Sequence, residues 1–169
     1  MTSAASTFNG GEIMNHRSSI IRSVFAGLAV VLTTAALTLV PTGTASAATP
    51  LCTTMANVNR GGNNLSVPAT GTGNVNCLIS RSGAANSAVV SGLQYTLKTC
   101  YPTVHLASPY QSELVGNLAV DGSFGPRTTA ALKGVQSSIG TTPDGGYGPL
   151  TRNAMRFSSN DVPGRCYHY

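Results

Sequence analysis

Residues 121–132 read Asp121-Gly122-Ser123-Phe124-Gly125-Pro126-Arg127-Thr128-Thr129-Ala130-Ala131-Leu132. The chain repeats this pattern 23 residues later as Asp144-Gly145-Gly146-Tyr147-Gly148-Pro149-Leu150-Thr151-Arg152-Asn153-Ala154-Met155. Chance does not place D-G-x-[FY]-G-P-x-T-x-x-A-[LM] twice in one short chain, so the copies form an internal repeat. Each copy has a physical reading. The Asp carboxylate caps nearby backbone N–H groups and the following Gly supplies a positive φ. Phe124 or Tyr147 then points inward as a plug. Gly125 and Gly148 lead into a proline at the first helical position, where a missing N–H does no harm. Thr128, Ala131, Leu132, Val135 and Ile139 make the buried stripe of one helix, ended by Gly140. Thr151, Ala154 and Met155 do the same for a shorter helix, closed by the segment Asn160 to Gly164.

Upstream, Val90, Leu93, Leu97 and Cys100 recur at helical spacing, with Asn86 or Ser87 as the cap and Tyr101-Pro102 as the stop. Thr103 to Asn117, carrying Pro109 and Gly116, reads as a loop. Three helices with one apolar stripe each can bury a common core. Leu93, Leu97, Phe124, Leu132, Val135, Tyr147 and Met155 are expected together in it. Ala48 to Ser80 is different, rich in Thr, Asn and Gly, with turn signals at Gly61-Gly62-Asn63-Asn64 and Gly71-Thr72-Gly73-Asn74. It reads as a small irregular hairpin that buries too little apolar surface to stand alone.

At its start the chain carries His16, Arg17 and Arg22, then sixteen apolar-rich residues from Phe25 to Val40, then Pro41 and Ala45-Ser46-Ala47. A basic n-region, an apolar core too short to span a bilayer and an A-x-A end describe a secretory signal peptide, starting at Met1 or Met14 and cleaved after Ala47. The expected division is residues 1–47 as leader, 48–80 as the small segment and 81–169 as the helical domain. The exported protein is expected to be secreted, free of the membrane and monomeric. Beyond Ala47 there are eight Lys and Arg against four Asp and Glu, a basic balance that suits a polyanionic cell envelope. With 9% charged residues and no Lys/Arg block, both charge-driven disorder and nucleic-acid binding are poor readings. All four cysteines lie in the exported part, at spacings unlike a zinc site, and imply two disulfides with three possible connectivities. The two-piece division favours Cys52 with Cys77 and Cys100 with Cys166.

Leu93-Gln94, Val135-Gln136 and the two D-G-x-[FY]-G-P-x-T turns together resemble the peptidoglycan-binding three-helix domain, over roughly Gly83 to Phe157. Val135 stands where that family usually has Phe, and the loop before Asp121 is longer than its usual form. The resemblance implies a mainly α fold: a compact three-helix bundle, here preceded by a small disulfide-stapled irregular or β segment. It also implies bacterial peptidoglycan as the partner and a place at the cell wall.

Catalysis has little to stand on. Glu113 is the only Glu after the leader, Asp121 and Asp144 serve turns, and His105 and His168 have no H-E-x-x-H setting. No free thiol, no G-x-S-x-G elbow, no metal site and no cofactor are expected. The candidate ligand contacts are Arg127 and Arg152, beside helix N-termini at Pro126 and Pro149 that suit stem-peptide carboxylates, and Tyr95 and Tyr147 as sugar-stacking rings. Each arginine is equally readable as a solvated helix face, and Tyr147 also as a core plug. A non-catalytic wall-binding protein is the leading reading. A secreted partner or inhibitor on the same scaffold, or a small wall hydrolase, are the alternatives.

Overall fold

The computed structural model of the chain describes residues 48–81 and 86–169. The leader assigned to residues 1–47 and Gly83 at the edge of the family resemblance lie outside the described residues.

Strands β1 (Thr54–Arg60) and β2 (Asn63–Ala69) pair antiparallel, with Arg60 opposite Asn63. The connection is Gly61-Gly62, with φ of 56° and 84°, the doubly positive pair that a two-residue hairpin matching strand twist requires. Leu65, Val67 and Ala69 alternate along β2 and are wholly buried. Burying the first two contributes about 1.5–3 kcal/mol each.

Helix α1 (Ser87–Cys100) starts where Asn86 accepts a hydrogen bond from the Ala88 amide at 2.8 Å. It buries Val89, Val90, Leu93, Leu97 and Cys100. Gly92 lies against β1, and a Cβ there would meet the Met55 sulfur at 2.6 Å, so a larger residue would have to displace the Met55 side chain. A long loop follows, with a single 3-10 turn at Val115–Asn117, and it sends Leu106, Val115 and Leu118 into the core. Helix α2 (Pro126–Ser138) and helix α3 (Pro149–Ala154) each begin with proline after a glycine N-cap. Strands β3 (Arg156–Ser158) and β4 (Cys166–His168) then pair antiparallel, Phe157 opposite Tyr167.

The expectation of a mainly α three-helix bundle is therefore corrected. Among the described residues helix accounts for 31% and strand for 23%, arranged as three short helices and two small sheets. The cause lies in α3, which ends after six residues when Met155 turns to ψ 155°. The chain then runs extended, and Phe157 enters the core from a strand. Leu65 and Val67 of the hairpin join the same hydrophobic cluster as Leu93, Leu132 and Val135, so strands supply volume that a longer third helix would otherwise provide.

Two disulfides close the fold, Cys52–Cys77 and Cys100–Cys166. The first holds the start of the hairpin segment to its end, and the second holds the end of α1 to β4. Five of the seven residues expected to be buried together are fully buried leucines, valine and methionine, and Tyr147 joins them. Phe124 does not: it is only half-buried against the cluster. Tyr147 is covered because its backbone pairs with Ile79 in both directions, at 2.9 and 2.8 Å, which lays the end of the hairpin segment over it. Among the described residues no such pairing covers Phe124.

Candidate functional site

The two repeat turns are built alike, each around a buried glutamine of the preceding helix. Gln94 Nε2 donates to Asp121 Oδ1 (2.8 Å), the Ser123 carbonyl (3.0 Å) and Thr128 Oγ1 (3.0 Å), while its Oε1 accepts from the Asp121 and Gly122 amides. Gln136 repeats this with Asp144 Oδ1 (2.7 Å), the Gly146 carbonyl (2.9 Å) and Thr151 Oγ1 (3.0 Å), accepting from the Gly145 amide at 2.8 Å. Asp121 and Asp144 also accept from the amides two residues on, of Ser123 and Gly146. These hydrogen bonds favour the charged carboxylate, so Asp121 is held below the usual aspartate pKa, first by the Ser123 amide and then by Gln94. Gly122 and Gly145 take φ of 71° and 76°, and Gly125 and Gly148 cap α2 and α3. The two glutamines carry no ionisable group and no hydrophobic periodicity, and only their place in Leu93-Gln94 and Val135-Gln136 marks them in the sequence.

A cleft opens beside each turn. The first, of about 270 Å³, lies at the start of α2 between Tyr110, Ser123 and Arg127. Arg127 Nε donates to both oxygens of Glu113, at 3.2 and 3.0 Å, and its guanidinium lies 4.9 Å from the centre of the Tyr110 ring. Its side chain remains 63% exposed, and the Glu113 carboxylate raises its pKa further. An anion entering here would meet the Glu113-paired cation of Arg127, an aromatic wall and the open amides of a helix start, with the Asp121 carboxylate also on the lining.

The second cleft, of about 340 Å³, is apolar: Leu78, Ile79 and Leu150 line it, and Leu150 is 81% exposed. Leu150 occupies the repeat position that holds Arg127 in the first copy. The arginine of this copy, Arg152, points elsewhere. It is buried, with Nη1 donating to the Val75 carbonyl and Asn76 Oδ1, both at 2.8 Å, and Nη2 to Asn153 Oδ1 at 2.8 Å. Its guanidinium and that of Arg60 each lie on the Tyr169 ring, 4.5 and 4.2 Å from the centroid. Arg152 thus braces the hairpin segment and Tyr169, the residue after β4, and the two arginines are not like sites.

The structure turns Tyr147 inward, 1% exposed, with its ring edge-on to Phe157 at 6.3 Å. Burial pushes its hydroxyl far above the ordinary tyrosine pKa, and that oxygen has no hydrogen-bond partner among the described residues. Tyr95 stands on the outer side of α1, half exposed, beside a third groove. Arg127, Arg152, Tyr147 and Tyr95 accordingly share no single cleft. Tyr110 and Glu113, from the loop, are the partners Arg127 actually has. Among the described residues no cluster of His, Cys, Asp and Glu is arranged to hold a metal, and no helix is long and apolar enough to cross a membrane.

Comparison with known proteins fits this geometry. Residues 87–155 match the family described as "Putative peptidoglycan binding domain", a span that holds both glutamine-clamped turns. The match ties this part of the chain to peptidoglycan binding in general. A protein of Kitasatospora aureofaciens, described as an uncharacterized protein in the bpoA1 3' region, is 44% identical over 55 residues, which is 30% of this chain and 47% of that protein. The chain thus matches about half the length of this relative. No solved structure matches the chain.

Proposed function

We propose that this chain is an exported, monomeric, non-catalytic protein that binds cell-wall peptidoglycan through the cleft at the start of α2. The carrying observation is the family match across both clamped turns, together with an exposed Arg127 at the mouth of the first cleft. Arg127 meets a stem-peptide carboxylate there, and the helix start adds its partial positive charge. Glu113 competes for the same guanidinium and keeps the affinity modest.

The acidic and thiol groups support a binding role. Asp121, Asp144 and Asp161 accept backbone or amide hydrogen bonds, Glu113 is paired with Arg127, and the four cysteines are in disulfides. Export rests on the leader, and the mass of the secreted protein tests it by placing Ala48 at the N-terminus. A second reading, a partner of another exported protein, draws on the apolar cleft where Leu150 and Leu78 face solvent.

The test is co-sedimentation of the oxidised protein with purified walls stripped of teichoic acid, which removes generic attraction of a basic protein. Wild type sediments, and Arg127→Ala sediments less while keeping its fold. The deficit shrinks at high salt, where an exposed charge contact is already screened. Failure of the folded wild type to sediment leaves the partner reading in front, and release of soluble muropeptides refutes the non-catalytic one.

A further inference from the structure

We propose that the groove beside Tyr95 is a separate subsite for the uncharged sugar strand, an assignment that rests on the wall-binding reading and divides the polymer between two surfaces. The groove, of about 440 Å³, falls within the range of about 300–1,000 Å³ usual for small-molecule sites. Its floor is α1 at Ser91 and Tyr95, and Ser66 of β2 and the segment after β3 make its walls.

Four observations point to sugar. Tyr95 is 49% exposed between two buried neighbours, Gln94 and Thr96, and is the one aromatic among the large side chains left exposed in the described residues. Val120, also exposed, extends this apolar surface. A tyrosine ring offers a flat apolar face to the C–H face of a pyranose and a hydroxyl at its edge. Second, the hydroxyls of Tyr95, Ser66 and Ser91 make no hydrogen bond within the described residues, which leaves donors and acceptors around the ring. Third, no Lys, Arg, His, Asp or Glu lines the groove. A stem-peptide carboxylate finds no counter-charge there, whereas neutral N-acetylated sugar needs none.

The fourth is rigidity. The wall at Ser159 and Asn160 is set by contacts back to the hairpin. Asp161 accepts from the Asn64 amide at 2.8 Å and from Asn64 Nδ2 at 3.1 Å, and Asn160 Nδ2 donates to Asn57 Oδ1 at 2.6 Å. Ser159 Oγ accepts from the amides of Asp161 and Val162. A concavity fixed before the ligand arrives loses little freedom on binding.

The probe is the uncharged β-1,4-linked N-acetylglucosamine hexamer, titrated into the oxidised, 15N-labelled mature protein. The amides of Ser91, Tyr95, Ser159 and Asn160 should shift saturably, with affinity unchanged between about 0.05 and about 0.5 M salt because no charge contact is made. Tyr95→Ala should weaken binding about tenfold, as loss of an aromatic anchor does, while Tyr95→Phe keeps most of it. Arg127→Ala should bind the hexamer like wild type. Since Tyr95 is exposed, an unchanged urea midpoint shows that the Ala variant is folded. Shifts confined to the Arg127 cleft, no saturable shift, or full affinity in Tyr95→Ala overturns the inference. The two proposals fail separately. Wall sedimentation without hexamer binding removes the subsite and leaves the wall reading, and hexamer binding without sedimentation does the reverse.

Discussion

Replacing Gln136 by Leu should cost about 3–4 kcal/mol of stability. The side chain is wholly buried and holds four groups of the second turn: Asp144 Oδ1, the Gly146 carbonyl, Thr151 Oγ1 and the Gly145 amide. Leucine fills nearly the same volume, so the cavity contribution is small and the loss is one of polar partners. The Gly145 N–H is buried and would be left without an acceptor, at about 1–3 kcal/mol. Thr151 and the Gly146 carbonyl each lose a neutral bond worth about 1 kcal/mol, while the exposed Asp144 carboxylate recovers its hydration. Added apolar burial offsets part of the sum. The assay is urea unfolding of the oxidised protein, in which the midpoint falls while the slope is unchanged. Gln136→Glu is the companion variant: it keeps the acceptor for Gly145 but sets a second carboxylate against Asp144, so it should lose at least as much at neutral pH. A loss below about 1 kcal/mol in the Leu variant, or a tolerated Glu, would refute the reasoning that the glutamine holds the turn.

Leu132→Ala should cost about 2–5 kcal/mol in the same urea assay, because Leu132 is wholly buried in the shared core. Removing the Cys52–Cys77 bridge by paired alanines should cost about 3.5 kcal/mol and removing Cys100–Cys166 about 4.4 kcal/mol, upper figures from the loops they close, read as shifts in urea midpoint. Asp121 and Asp161 have folded pKa values depressed by hydrogen bonds, from the Ser123 amide and from the Asn64 amide respectively. Their contribution is therefore complete above the ordinary aspartate range and is lost as pH falls through the depressed values. Urea midpoints taken down that range should fall in wild type and fall less in a doubly amidated Asp121→Asn, Asp161→Asn variant.

The helices were legible because their signals are local. Asn86 as a cap, the two Gly-Pro starts and the stripes through Leu93 and Leu132 depend only on residues a few positions apart. The strands were not, for opposite reasons. β3 and β4 are three residues each, too short to show alternation, and form where Phe157 is buried in the core and Cys166 is tied to α1. The hairpin signal was visible, but nothing local says that Leu65 and Val67 close the same core as Leu93. At the candidate site, Arg127 and Arg152 look alike in the sequence by charge and by lying in the first turn of a helix that begins Gly-Pro. What separates them is where the rest of the chain lies: Glu113 and Tyr110 reach Arg127 from the loop, and Val75 and Asn76 come over Arg152 from the hairpin segment.

The glutamine clamps also bear on how freely this chain can change its length. Gln94 and Asp121 are 27 positions apart, and Gln136 and Asp144 only 8, yet the same three bonds from the glutamine Nε2 form in both. Closing the longer connection costs about 1 kcal/mol more in chain entropy, since each doubling adds only about 0.6 kcal/mol. Burial of Leu106, Val115 and Leu118 from within it more than offsets that difference. What the clamp specifies is the two ends of the connection, not what lies between them. A change of length between α1 and the first turn can therefore leave the frame of the helices in place where it falls between the buried points Leu106 and Val115. The segment that supplies Tyr110 and Glu113 to Arg127 is then the part of the domain on which selection can act most cheaply.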